Sequence, residues 1–278
     1  MIFLIPNPER DAGYLVSASL CRLLGEKNKT VSCTDPVFCG MLPDVRLMSF
    51  EEALETCEAV ITVGGDGTIL RVAAEAARCK KPLLGVNTGN LGYMTAVSGS
   101  DFSWVERFVA GRYETEDRMM LRVGVERDGV SVFEGTALND AVLSRGEVPR
   151  LLPLSLYSDG VFVSEYRSDG LIFATPTGST AYSISAGGPV VDPALDALLV
   201  TPLCAHTLAS RPIVFRPETV LDARLNEGHG GARLTVDGKE NVPVLVGDRI
   251  TVARSEHQLK LVRFETPSFY RVLADKLK

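Results

Sequence analysis

The chain has 278 residues, enough for one large domain or two ordinary ones. Its hydrophobic content of 45% and charged content of 23% are those of a globular protein. A net charge of −6 and a pI near 5.3 argue against a nucleic-acid binder, which needs a basic face, so an anionic ligand must be drawn by a few local Arg and Lys.

The opening Met1–Pro6 reads as a short strand and lacks the basic start and long apolar stretch of a signal peptide. No apolar run of about 18 residues occurs, so no membrane span is expected. The six cysteines, Cys21, Cys33, Cys39, Cys57, Cys79 and Cys204, form no C-x-x-C pair. His206, His229 and His257 do not fall at zinc-ligand spacing from them. Reduced, buried thiols in a cytoplasmic protein are expected.

Residues 1–97 alternate strand-like and helix-like segments. After the first strand, Tyr14–Gly25 carries Leu15, Ala18, Leu20, Leu23 and Leu24 at helical spacing, with Gly25 as a stop. Thr30–Thr34 reads as a short strand and Phe50–Cys57 as a short acidic helix. Ala59–Val63 reads as a buried parallel strand, followed by the turn Gly64-Gly65-Asp66-Gly67-Thr68 and a helix over Ile69–Arg78. Pro82–Asn87 is another buried strand, running into the glycine-rich Asn87–Tyr93. This βαβ alternation predicts a parallel sheet with ligands at the carboxyl ends of its strands, where two glycine turns form two walls of one cleft.

Glycines at 64, 65 and 67 let a ligand approach the backbone, and Thr68 is placed to cap the helix. An Asp in such a turn repels phosphate. Asp66 makes sense if it handles a proton or helps hold a cation between phosphates.

Around residue 98 the pattern changes. From Met119 the spacing has period two, and Asp128-Gly129, Asp159-Gly160 and Asp237-Gly238 separate strand-like runs as hairpin turns do. The expected organisation is an α/β domain over 1–97 and a mostly β, sandwich-like domain over 98–265, with a tail helix at 266–278 packing back on the first.

Two stretches in the β half carry polar groups a plain strand does not need. In Leu138-Asn139-Asp140, an Asn suits an adenine edge and a carboxylate suits ribose hydroxyls. In Arg167–Gly188, an apolar strand ends in the turn Thr175–Ser179, and a small-residue helix starts near Thr180. Ser179 lacks a G-x-S-x-G elbow, which argues against a hydrolase.

Taken together, GGDGT at 64–68, NTGNLGY at 87–93, LND at 138–140, SDGLIFATPTGSTAYSISAGGP at 168–189 and the stretch His206–Val214 resemble the NAD kinases. GGDGT alone is shared with diacylglycerol-type lipid kinases and phosphofructokinase-like enzymes; the 175–189 stretch narrows the resemblance.

The resemblance implies NAD as acceptor, ATP as donor, a divalent metal such as magnesium carried mainly by substrate phosphates, and a homodimer or homotetramer. It implies Asp66 as proton acceptor, Gly64, Gly65, Gly67 and Thr68 as the phosphate loop, and no protein metal cage. It implies substrate contacts at Gly67, Arg71, Tyr93, Asn139, Asp140, Arg150, Arg167, Asp169, Thr180, Ala181, Tyr182, Ser185 and Lys239, the last where many members have Gln. A lipid kinase and a non-catalytic NAD- or NADP-sensing module are the alternatives. No basic amphipathic segment supports the first, and the intact Asp66 and glycine run weigh against the second.

Overall fold

The computed structural model describes residues 1–89, 92–146, 150–205, 210–226, 231–264 and 269–276. Part of the His206–Val214 stretch, both His206 and His229, and the ends of the tail helix lie outside these.

The chain forms two compact units, 1–117 with 258–278, and 118–257. In the first unit the elements are β1 (Ile2–Pro6), α1 (Leu15–Glu26), β2 (Val31–Cys33), α2 (Pro36–Met41), β3 (Val45–Leu47), α3 (Phe50–Thr56), β4 (Ala59–Gly64), α4 (Asp66–Leu70), α5 (Ala73–Arg78), β5 (Leu83–Asn87), β6 (Val97–Ser98) and α6 (Trp104–Val109). The strands run parallel in the order β3-β2-β1-β4-β5. β4 and β5 are buried along their whole length, which is why they read as unbroken apolar runs.

β7 (Glu114–Arg127) enters the second unit and is followed by β8 (Val130–Ala137), β9 (Asp140–Arg145), β10 (Leu152–Ser158), β11 (Val161–Ser168), β12 (Gly170–Ala174) and the short α7 (Tyr182–Ser185). Next come β13 (Leu198–Leu203), β14 (Ile213–Phe215), β15 (Leu221–Leu225), β16 (Ala232–Val236), β17 (Val242–Val244) and β18 (Arg249–Arg263). The final helix, α8 (Phe269–Lys276), counts with the first unit. One antiparallel sheet of the second unit has the order β14-β13-β12-β9-β16-β17, and β11-β10-β15-β18 lie in another. Their inward residues, among them Leu121, Leu143, Leu154, Phe173, Ala223 and Ile250, join one core.

Two expectations differ from the packing. The units divide after Asp117 and His257 rather than at 97/98 and 265/266. Trp104, Val105 and Phe108 of α6 belong to the core beneath α1, and the Trp104 and Tyr113 rings lie 5.9 and 6.4 Å from Phe264. The helix expected over Ile69–Arg78 starts at Asp66 and breaks at Arg71-Val72, where Val72 has φ −127° and ψ 0°.

Candidate active site

The first unit changes the direction of its strand order between β1 and β4, so a crevice opens outside the carboxyl ends of these strands. A cleft of about 660 Å³ occupies it. Asn7 follows β1, Gly64 ends β4 and Gly65–Thr68 follow it, and Asn87 ends β5 with Thr88 and Gly89 after it; all of them line the cleft. The two glycine turns therefore do share one cleft.

Thr68 does not stand before the helix as its cap. It is buried in the first turn, where its Oγ1 accepts a hydrogen bond from Asn7 Nδ2 at 3.1 Å and is reached by the Gly65 N–H at 3.5 Å. Asn7 thereby ties the end of β1 to the turn after β4. Gly64 is required by close approach: a Cβ there would overlap the Thr68 hydroxyl.

Asp66 is the first residue of α4. Its Oδ2 accepts the Tyr93 N–H at 2.8 Å, and its Oδ1 accepts the N–H groups of Met94 and Thr95 at 3.1 and 3.2 Å. Thr95 Oγ1 accepts the Gly92 N–H at 2.9 Å. On the other side of this segment, Arg263 Nη1 donates to the Met94 carbonyl at 2.8 Å. So Asp66 is half-buried and fixed by backbone from the neighbouring turn. A carboxylate has about four acceptor directions, and these contacts use three of them.

Gly67 and Arg71 are exposed on the cleft wall. Tyr93 is half-buried, and its ring lies under α8, 5.9 Å from Phe269 and 4.4 Å from Lys276 Nζ.

The second unit holds a separate polar cluster. The Asp237 carboxylate accepts three consecutive backbone N–H groups, from Leu138 at 2.7 Å, Asn139 at 2.8 Å and Asp140 at 3.1 Å. Thr175 Oγ1 donates to the Leu138 carbonyl at 2.6 Å, and the Thr175 N–H to the Asn139 carbonyl at 2.9 Å. Gly178 packs on the same carbonyl so closely that a Cβ would overlap it. Asn139 and Asp140 are buried, and Asn139 Oδ1 has no hydrogen-bond partner. Such an acceptor is open to a donor from water or from a ligand.

Burial, and then the charge of Asp237, push the Asp140 carboxyl up to about 7. Asp237 itself is raised by burial, opposed by its three N–H bonds and by the charge of Lys239.

The other expected contact residues lie more openly. Arg150, Arg167, Lys239, Tyr182 and Ser185 are exposed. Asp169 is half-buried and pairs with Arg145 at 3.4 Å. Thr180 and Ala181 are half-buried, and the Thr180 hydroxyl donates to the Thr177 carbonyl at 3.3 Å. The helix expected from Thr180 is a single 3-10 turn, Thr177–Thr180, followed by the four-residue α7. Within the first unit the structure groups Gly64–Thr68 and Arg71; within the second it groups Asn139, Asp140 and the 175–178 turn. Asn7, Thr95, Arg263 and the carboxylate of Asp237 were not singled out as site residues. Their partners lie far along the chain, and only the Asp-Gly pair at 237–238 stood out, as a turn.

A parallel sheet that presents a glycine-flanked carboxylate in the crevice at its switch point has the form of a nucleotide-using phosphotransferase. Two family profiles place it further. The ATP-NAD kinase N-terminal domain matches residues 11–113, and the ATP-NAD kinase C-terminal domain matches residues 138–264. The chain belongs to the ATP-NAD kinase family.

It is 45% identical over 221 residues to an NAD kinase of Symbiobacterium thermophilum, covering 79% of this chain and 78% of that protein. It is 34% identical over 275 residues to an NAD kinase of Natranaerobius thermophilus, covering 99% and 96%. Among solved structures, an NAD kinase from Archaeoglobus fulgidus in complex with ATP is 28% identical with a TM-score of 0.77, covering 100% of this chain and 98% of that one. Yeast NADH kinase complexed with NADH shares the fold at a TM-score of 0.90 and 24% identity, covering 99% and 86%.

Proposed function

We propose that the chain moves the γ-phosphoryl group of ATP to the 2′-hydroxyl of the adenosine ribose of NAD, giving NADP and ADP. The observation that carries this is Asp66, a carboxylate fixed in the glycine-walled cleft with one acceptor direction left. That direction suits a substrate hydroxyl, at about 3 Å in a productive complex. The bond formed joins the ribose 2′-oxygen to the γ-phosphorus, the bond broken is the β–γ bridge, and the hydroxyl proton goes to Asp66. Phosphoryl transfer otherwise asks for positioning and charge neutralisation. Arg71, Arg150 and Arg167 serve as counter-charges to substrate phosphates. Asn139 and Asp140 take the adenosine portion, where the orphaned Asn139 Oδ1 offers an acceptor to an exocyclic amine.

Among the described residues no group of three His, Cys, Asp or Glu is placed to hold a metal ion. The cleft does offer oxygen donors, the Asn7 and Asn87 amides, which fit magnesium that keeps most of its ligands from phosphate and water. Bound there, the metal supplies neutralisation of phosphate charge. No helix among the described residues is long and apolar enough to cross a membrane. A cytoplasmic homodimer or homotetramer completes the proposal.

The test is incubation of the pure protein with ATP, magnesium and NAD, with enzymatic detection of NADP. NADP is the expected product. Phosphorylation of a lipid instead, or NAD binding without turnover, would overturn the reading.

A further inference from the structure

Helix α8 buries none of its residues, and a helix this short is marginal by itself. One face of it rests on Tyr93. Phe269 and Lys276 lie two turns apart on one helix face, and both meet that ring, at 5.9 and 4.4 Å. Lys276 gains position from this, because its ammonium over an aromatic face is favoured and its stem leans back towards the helix start. Tyr93 is itself fixed, since its N–H is bound to Asp66.

Lys276 also lines the cleft, together with Gly64–Thr68 and Arg71. Two carboxylates, Glu9 and Asp66, and two other cations, Arg10 and Arg71, line the same cleft. The cleft is thus balanced without Lys276 and positive with it. Among the described residues Lys276 has no carboxylate partner. A cation held on the wall of a cleft of glycine backbone is placed for an anion.

We infer that Lys276 is a donor-phosphate residue, held at the cleft by the docking of the C-terminal helix on Tyr93. The inference rests on the kinase reading for the identity of the anion as the triphosphate of ATP. A lysine that serves only the negative end of its own helix makes no demand on ATP, and that difference is measurable.

The experiment compares wild type with Lys276→Ala, Lys276→Arg and Phe269→Ala, in ATP titrations at equilibrium and in steady-state NADP formation. Lys276→Ala should weaken ATP about five- to tenfold in both Kd and KM, less so at high salt, with the KM for NAD changed less than about twofold. Lys276→Arg should restore ATP binding. Phe269→Ala should weaken ATP in the same direction, because it releases the helix while keeping the charge. ATP affinity in Lys276→Ala within about twofold of wild type, or an equal loss for NAD, would overturn the inference. Should wild type make no NADP, the kinase reading fails, and the ATP titration still decides Lys276.

Discussion

Gly92 and the Asp66 carboxylate are fitted to each other: a methyl group on Gly92 would overlap the carboxylate oxygens. The glycine is there for approach, and Asp66 is positioned by the backbone it leaves uncovered. Gly92→Ala should therefore displace Asp66 from the 93–95 N–H groups and lower kcat by about tenfold or more, on the scale of a misplaced catalytic group. Steady-state NADP formation measures it, beside a thermal melt to show that the fold persists.

Asp66→Asn keeps the shape and one acceptor oxygen, turns an NH2 group towards one side of the backbone donors, and removes the proposed base. Turnover should fall by about two or more orders of magnitude, with a smaller change in NAD affinity. Near-normal turnover in this variant would falsify the role given to Asp66.

Asp140 carries a pH signature. Its folded pKa of about 7 lies above the ordinary carboxyl value, so the native state holds its proton more tightly than the unfolded chain. The contribution to stability is complete below about pH 4 and is lost as pH rises towards about 7, by on the order of 4 kcal/mol. Asp237, also raised, acts with the same sign. Thermal midpoints recorded across this window should fall less steeply in Asp140→Asn than in wild type; parallel curves for the two proteins would rule out the assignment.

Asp237 holds all three residues of the LND segment through their backbone N–H groups. Asp237→Ala strands three N–H groups and should cost about 2–5 kcal/mol of stability. Because the released segment carries Asn139, the KM for NAD should rise as well. Denaturant unfolding and NAD kinetics on the same preparation separate the two effects, and a loss of stability with an unchanged KM would detach Asp237 from the site.

Much of the fold was legible because its signals are local. The parallel strands read as apolar runs, and Asp128-Gly129, Asp159-Gly160 and Asp237-Gly238 all adopt positive φ at both residues, as their pairing implied. Asp66 was legible as an anomaly, a charge among glycines. What was not legible is long-range. The three donors that hold Asp66 lie 27 to 29 residues away, and those that hold Asp237 lie 97 to 99 away. The break at Arg71-Val72 carries no Gly or Pro. The end of the first unit at Asp117 depends on where the rings of Trp104, Tyr113 and Phe264 find one another, which no period reports.

The thiols give the first unit a stopwatch. Burial pushes Cys21 and Cys33 up to about 12, so both stay thiols at pH 8, and both are enclosed by the core of that unit. Cys204, in the second unit, is exposed. An alkylating reagent will mark Cys204 at once and Cys21 and Cys33 only when their core opens. The lag between the two marks, read by mass spectrometry, times how often the core of the first unit opens.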